Sequence, residues 1–336
     1  MKQIGVAVIM LGHVTEQVKK RSDSRWFWIL RISVGIGILI LLVLWLGAES
    51  VVSQLGRLNW VWLAWHPLLL LLNLVIGGIG LFALFRPFVT LSLREFLRYH
   101  FFTQSLGAFL PLQLGESSLV LLLKRHGVPL TRSLGFFLTD KATSLIALGA
   151  IGGLAFIVWL PIPADCVWIG LGVILLTLVG GVIVVRFDHW SRVDRFLRRA
   201  PSSRIYLPVR TLLEELAANR KGIAVNLTAT AVRRTLLEPL MQFVIFTALG
   251  TPVPLGMLIL VSNLLGIVGL APITAQGLGV IELTAVYLFS LIQVDAATTA
   301  TAYLLARPLA LGFSGIVLVI TGALLGWPHS QNDPVV

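Results

Sequence analysis

Residues 269–282 read Gly-Leu-Ala-Pro-Ile-Thr-Ala-Gln-Gly-Leu-Gly-Val-Ile-Glu and interrupt a long apolar segment of the chain. In lipid each unsatisfied backbone polar group costs several kcal/mol, so a broken helix at membrane depth must be surrounded by protein or a water-filled cavity. An ionisable residue beside such a break is a functional-site hypothesis by default. We therefore expect a helix break at Pro272, Gly277 and Gly279, with Gln276 and Glu282 as substrate-binding residues.

The composition places the whole chain in a membrane. It has 336 residues, of which 57% are hydrophobic and only 12% are charged, and its mean hydropathy is +0.92. Soluble domains are about 45–50% apolar and about 25% charged. The net charge is +11, but the basic residues cluster in a few polar segments. That pattern is typical of membrane topology, so we expect an all-α polytopic membrane protein and no nucleic-acid partner.

Six apolar segments approach or exceed the ~20 residues that a membrane-spanning helix requires. The predicted spans are 26–47, 60–85, 134–160, 167–185, 222–249 and 299–325. We expect a basic N-terminal segment over 1–26, a transmembrane domain over 27–326 and a polar tail over 327–336. Within the domain, residues 186–221 predict a cytoplasmic linker of short amphipathic helices.

A second broken segment, 100–123, contains Pro111 and Gly115 before Glu116. Basic residues flank the segment on both sides, so a full crossing would place one basic cluster outside. As a helix, residues 100–110 would rise only about 16 Å, roughly half of the ~30 Å hydrocarbon core. The segment therefore predicts a re-entrant hairpin that enters and leaves on the cytoplasmic side.

The distribution of basic residues predicts the orientation. Twenty-one of the 26 Lys and Arg residues fall in segments 1–31, 86–98, 124–132 and 186–221, and only Arg57 falls in a predicted outer loop. Positive residues favour the cytoplasmic side. We expect both termini to face the cytoplasm of a bacterial inner membrane.

The second half of the sequence echoes the first at a constant offset, which maps Glu116 to Glu282 and Lys141 to Arg307. The repeat halves are predicted at about 60–160 and 222–325. An odd number of spans lies between the two hairpins, so the second hairpin should be inverted relative to the first. Inverted repeats in transporters place the site near the membrane midplane, between discontinuous helices. The alternative is two unrelated kinked regions.

Eight ionisable residues fall within predicted membrane segments, in equal numbers of each sign. They are Glu116, Asp140, Lys141, Arg233, Arg234, Glu238, Glu282 and Arg307. One interpretation is a polar cleft in which Lys141 and Arg307 meet an anionic headgroup and the carboxylates orient them. The other is buried ion pairs that hold the hairpins. Arg233, Arg234 and Glu238 are secondary candidates, because those arginines could reach back to the inner interface.

The sequence predicts no catalytic residue, metal or cofactor. Its six histidines lack metal-ligand spacing, and the glycines at 277 and 279 lack the strand–turn–helix context of a dinucleotide fingerprint.

At Leu110–Glu116, Asp140-Lys141, Gly277–Glu282 and Arg307, the sequence resembles the flippase-like transmembrane domain of lysylphosphatidylglycerol synthases. The resemblance covers roughly 30–325. It implies a lipid translocase or a membrane partner of lipid synthesis. The family often has Arg where this chain has Lys141, and Lys lacks the bidentate fork for phosphate. We expect no soluble synthase domain and hence no aminoacyl transfer.

These observations predict a protein that translocates or binds a phospholipid or another lipid-linked substrate, with an anionic or zwitterionic headgroup. The alternatives are a polytopic transferase with a lipid-linked donor and a non-transporting partner of a lipid synthase. The transferase would need a substantial outer loop beside an acid or base, and the predicted outer loops are short. We expect no enzymatic activity, and the sequence leaves open a lipid-synthesis enzyme as partner and a homo-oligomer.

Overall fold

The computed structural model describes residues 23–110, 114–124, 126–159, 164–185, 219–270 and 274–325. Throughout these ranges the chain is all-helical and contains no β-strand. The predicted N-terminal segment, central linker and C-terminal tail lie almost wholly outside the described residues, as do Pro111 and Pro272.

The first half of the chain forms eight α-helices within its described ranges. They are α1 (Asp23–Leu46), α2 (Ala48–Gly56), α3 (Trp60–Leu63), α4 (Trp65–Phe85), α5 (Leu93–Gly107), α6 (Leu114–Lys124), α7 (Leu130–Trp159) and α8 (Ala164–Val185). Gly47, with φ of 82°, separates α1 from α2, and the two helices meet at 84°. Ser92 caps α5 together with Glu95, whose pKa is lowered by hydrogen bonds from Ser92.

The second half begins after the linker. Its helices are α9 (Arg220–Val232), α10 (Glu238–Ala248), α11 (Leu255–Leu270), α12 (Val280–Ser290) and α13 (Ala296–Leu324). A π-helical turn, Arg233–Leu237, joins α9 to α10 without a break. The Asp295 carboxylate caps α13 by accepting the Thr298 N–H at 2.8 Å.

The helices break where the sequence predicts. The α5 helix ends at Gly107 and α6 begins at Leu114, and α11 ends at Leu270 and α12 begins at Val280. The two helices of the first hairpin touch at Gly115, where an added Cβ would lie 2.1 Å from Gly107 Cα. Only glycine fits that crossing, which explains its place beside the break.

The offset that maps Glu116 to Glu282 also describes the helix boundaries. It relates both ends of α6 to both ends of α12, and the first residue of α7 to the first residue of α13. The packing repeats in the same way, because α7 packs against α11 while α13 packs against α5. Each long helix that follows a break thus contacts the helix that precedes the other break.

The apolar side chains divide between the interior and the outer surface. One buried cluster around Phe85, Phe96 and Phe136 belongs to the first half, with Ile223 from α9. Another, around Phe246 and Phe289, belongs mainly to the second half, with Leu63 from α3. Large apolar residues are also exposed on the long helices, as at Leu44, Leu176 and Val319. Many large apolar side chains on the outer surface are typical of a protein surrounded by lipid.

Three described helical segments are long and apolar enough to cross a membrane: Trp60–Phe88, Gly135–Trp159 and Ala296–Leu324. The bent pair Leu30–Leu46 and Glu49–Gly56 raises the number to four if it counts as one span. The other two predicted spans are helical as α8 and as α9–α10. The coarse prediction of an all-α membrane protein is confirmed, and the count of six spans stays a prediction.

Candidate functional site

A polar cavity of about 910 Å³ lies inside the helical bundle. Sixteen of its 33 lining residues carry a polar or charged side chain, and they come from both halves of the chain. The polar lining comprises Arg31, His66, Asn73, His100, Gln104, Asp140, Lys141, Ser144, Arg233, Arg234, Glu238, Gln242, Ser262, Thr274, Gln276 and Tyr303. The volume lies within the ~300–1,000 Å³ of small-molecule sites. Such a space inside an apolar bundle suits a polar ligand.

Asp140 and Lys141 of α7 both line the cavity, as predicted for site residues. The Asp140 Oδ1 atom accepts a hydrogen bond of 2.9 Å from Asn226 Nδ2, and Asn226 Oδ1 in turn accepts the Thr143 hydroxyl. Lys141 Nζ lies 5.1 Å from the centroid of the Phe137 ring. Asn226 of α9 thus holds the carboxylate, and the ammonium makes a cation–π contact at the cavity wall.

Arg233, Arg234 and Glu238 form a charge cluster on the cavity wall, where sequence reasoning placed only secondary candidates. Arg234 Nη1 lies 2.6 Å from Glu238 Oε2, and Arg233 Nη2 lies 3.8 Å from Glu238 Oε1. Arg233 Nε also donates to Asn73 Oδ1 at 2.8 Å. These arginines point into the bundle, so the interpretation that they reach back to the inner interface does not describe the structure.

Glu282 and Arg307 form an ion pair, which confirms that this arginine is the cationic partner of the carboxylate beside the second break. The Glu282 side chain is 1% exposed, and its second oxygen accepts the Gly279 N–H at 2.7 Å. Neither residue lines the cavity, although their neighbours Ile281 and Ala306 do. The ion pair thus links the start of α12 to α13 beside the cavity.

Gln276 connects the two helix breaks. Its backbone has a φ of 52°, and its Nε2 donates to the carbonyls of Gly107 and Leu110, each at 3.0 Å. Gly277 and Gly279, with φ of 70° and 80°, supply the left-handed turns that lead into α12. Gln276 therefore lines the cavity while joining the break of one half to the break of the other.

The side chain of Glu116 lies outside the described part of the chain.

Three buried lining residues carry polar atoms that lack a hydrogen-bond partner among the described residues. These atoms are His66 Nδ1, His100 Nδ1 and Thr274 Oγ1, and each side chain is at most 4% exposed. Buried polar atoms are normally satisfied, and these three atoms are exceptions within residues of the cavity wall. Sequence reasoning missed them, and the available signal was a polar residue within an apolar segment.

Arg31 is a further cation that sequence reasoning missed, because its position near the N-terminus assigned it to the inner basic segment. The side chain is 8% exposed and lines the cavity.

In the described ranges no group of three or more His, Cys, Asp or Glu residues could hold a metal ion.

Comparison with known families gives a match to the family described as Lysylphosphatidylglycerol synthase TM region, over residues 28–318. The chain belongs to this family. The matched region includes all the lining residues of the cavity, from Arg31 to Ala310. The Lysylphosphatidylglycerol synthase TM region is a membrane domain related to lipid synthesis or lipid flipping, which confirms the resemblance seen in the motifs. No curated protein and no solved structure matches this member of the family.

Proposed function

We propose that this protein moves a phospholipid or another lipid-linked substrate between the two leaflets of a bacterial inner membrane. The observation that carries the proposal is the polar cavity of about 910 Å³ inside an apolar bundle, lined from both halves of the chain. A lipid headgroup needs such a polar path, because charged groups in hydrocarbon cost several kcal/mol. The acyl chains would remain against the apolar exterior.

The proposed architecture is an inverted repeat of six spans and two re-entrant hairpins, with both termini in the cytoplasm. Two observations support it: the helix boundaries that recur at the offset of the repeat, and the reciprocal packing of α7 on α11 and α13 on α5. In inverted-repeat transporters, one half rocks against the other around a fixed midplane site built from broken helices. Rocking of this kind would expose the cavity to each leaflet in turn, without any chemical step.

Reconstitution into liposomes tests the proposal directly. Purified protein should speed the exchange of a fluorescent phospholipid between leaflets, measured by quenching of the outer leaflet with an impermeant reagent. Ala306→Trp places a large side chain at the cavity wall and should slow that exchange by about tenfold or more, the effect of ~1.4 kcal/mol on a barrier.

The matched control is Ile320→Trp on the same helix, because Ile320 is 54% exposed on the outer surface. This variant should exchange lipid at the wild-type rate. Equal rates in liposomes with and without wild-type protein would overturn lipid translocation. Bound lipid without exchange, seen by native mass spectrometry, would favour a non-transporting partner of a lipid synthase, and a new lipid product would favour a transferase.

A further inference from the structure

The short helix α2 follows α1 after a sharp bend at Gly47. The φ of Gly47 is 82°, which favours glycine, and α2 leaves α1 at 84°. Because α1 has 24 residues, it is about 36 Å long and can cross the ~30 Å hydrocarbon core without α2. If α1 runs along the membrane normal, α2 therefore runs along the membrane plane.

One face of α2 packs against the start of α13. Val51 is buried, and Gln54 Nε2 donates to Thr298 Oγ1 at 3.0 Å. Thr298 lies in the first turn of α13, where its hydroxyl donates to the Asp295 carboxylate at 2.9 Å. These contacts fix the rotation of α2 about its own axis, and they decide which side chains point outward.

The outward surface of α2 divides into an apolar sector and a polar sector. Val52 is 66% exposed and Leu55 is 41% exposed, and the two lie ~60° apart around the helix axis. Glu49, Ser50 and Ser53 are also exposed and occupy a separate sector of ~100°. Hydrocarbon would penalise the polar sector and water the apolar one, whereas the boundary between them suits both.

Exposed tryptophans flank α2 on both sides in the chain. Trp45 lies in the last turn of α1 and Trp60 begins α3, and each is 71% exposed. Trp62 and Trp65 follow and are also exposed. Tryptophan is enriched at membrane–water interfaces, because its ring is apolar while its N–H can remain hydrated. The residues around α2 thus have the composition of an interfacial belt.

The contacts of this segment place it at one end of the helical bundle. The helix α2 begins just after the end of α1 and packs on the start of α13. The Asn59 N–H, between α2 and α3, donates at 2.8 Å to the carbonyl of Ala248, the last residue of α10. Membrane-spanning helices end near the membrane surface, so these contacts hold α2 at that level.

We infer that α2 is an interfacial helix, whose apolar sector binds the lipid surface at the boundary between headgroups and acyl chains and whose polar sector meets water. The occupant is lipid because the apolar sector follows directly on Leu44 and Trp45, which are exposed in the last turn of α1. Two aliphatic side chains are also too small a patch for a stable protein interface, which buries about 1,200–2,000 Å². This assignment requires only that the chain lies in a membrane, so it is independent of lipid transport.

Spin labels on neighbouring residues of α2 test the assignment in liposomes. In a Cys166→Ser background, Val52→Cys and Leu55→Cys carry the label on the apolar sector, and Ser53→Cys is the matched control on the polar sector. Collision with oxygen reports contact with lipid, and collision with a water-soluble nickel chelate, present on both sides of the membrane, reports contact with water. Labels at positions 52 and 55 should collide with nickel several-fold less often than the label at position 53, and more often with oxygen.

The depth of the labels distinguishes an interfacial helix from a continuation of the span. In the membrane plane, positions 52 and 55 lie at nearly equal depth, whereas along the membrane normal they would differ by ~4.5 Å. Leu41→Cys supplies the deep reference, since Leu41 is exposed on α1 and lies ~9 Å from the bend. Its label should be clearly deeper than both labels on α2.

Three results would overturn the assignment. Equal nickel access at positions 52, 53 and 55 would place α2 in water. Exclusion of both reagents at positions 52 and 55 would show that protein covers the apolar sector, either a second copy or another segment of the chain. Depths equal to that of the Leu41→Cys label would make α2 part of the span. Thermal melting of each labelled variant at the wild-type temperature verifies that the fold is intact.

Discussion

At the scale of single residues, Glu282 illustrates how one carboxylate can organise a broken helix. One oxygen accepts the Gly279 N–H and the other meets Arg307, and the side chain is 1% exposed. The carboxylate satisfies a backbone donor that the break leaves open at the start of α12, and its negative charge suits a helix N-terminus. Both oxygens are occupied by the protein, so Glu282 positions the hairpin beside the cavity.

Removal of the Glu282 charge should destabilise the protein. Glu282→Gln leaves the guanidinium of Arg307 without its partner, and breaking a buried ion pair costs ~3–5 kcal/mol of unfolding free energy. We expect a value near the lower end, since Arg307 is 27% exposed, and denaturant unfolding in mixed micelles measures it. The double variant Glu282→Gln/Arg307→Gln should recover much of the loss, and a double variant less stable than the single one would contradict the pairing.

The sequence predicted part of the site at this scale. Asp140, Lys141 and Gln276 line the cavity. They could be predicted because a charged or amide side chain within an apolar segment can be recognised from the sequence alone. Asn73 and Tyr303 were missed, because a polar residue in an apolar helix does not reveal which neighbour it faces. That direction is set by packing against other helices.

At the scale of elements, the π turn sets the register of the charge cluster, and Pro239→Ala should change that register. Alanine restores the N–H and removes the clash, so residues 233–237 can return to a regular α-helix. Arg233, which lines the cavity, would then rotate away from Glu238, and lipid exchange between leaflets should slow several-fold. The folded protein should be at least as stable as the wild type.

The liposome assay of lipid exchange and thermal melting measure the two effects separately. Pro308→Ala is the matched control, because Pro308 also lies within a helix, α13, but is exposed and is not part of the cavity lining. A Pro239→Ala variant that exchanges lipid at the wild-type rate would show that the π turn does not set the site.

Helix breaks were predictable where the sequence contains proline and glycine together, as at 111–115 and 272–279. The π turn was not, because residues 233–238 include two arginines and a glutamate at spacings that a regular helix also tolerates. Its structure depends on the Asn263 side chain, which reaches the freed Arg234 carbonyl from a helix distant in sequence.

At the scale of the whole molecule, the proposed inversion of the two halves makes a prediction about sidedness. Lys124 and Ser290 are the last residues of α6 and α12, correspond to each other in the repeat and are exposed. In an inverted repeat these equivalent positions face opposite sides of the membrane. We expect Lys124→Cys to react from the cytoplasmic side and Ser290→Cys from the outer side with a membrane-impermeant thiol reagent.

The chain has a single cysteine, so Cys166→Ser supplies a background without thiols. Labelling in inside-out and right-side-out vesicles distinguishes the sides, and Arg57→Cys serves as a reference for the predicted outer surface. Reaction of both end-of-hairpin cysteines from one side would exclude the inversion and leave two unrelated kinked regions.

The overall class was accessible from the sequence because hydropathy and the distribution of basic residues report directly on the bilayer. The proposed repeat was suggested by Glu116 and Glu282, and several helix boundaries recur at the same offset. The way the halves meet was not accessible, because the reciprocal packing of α7 with α11 and of α13 with α5 joins residues that are far apart in the sequence.

Under the proposed repeat, Gln276 and Leu110 are equivalent positions of the two halves, and they touch each other. In a twofold arrangement, a residue can contact its own counterpart only near the symmetry axis. If the halves rock about that axis, this contact is the pivot, where displacement is smallest. The largest displacement is then at the far end of a long helix such as α13, which has 29 residues and is roughly 43 Å long. A short chemical crosslink between these two tips should therefore leave lipid exchange intact, whereas one at the outer ends of the helices should stop it.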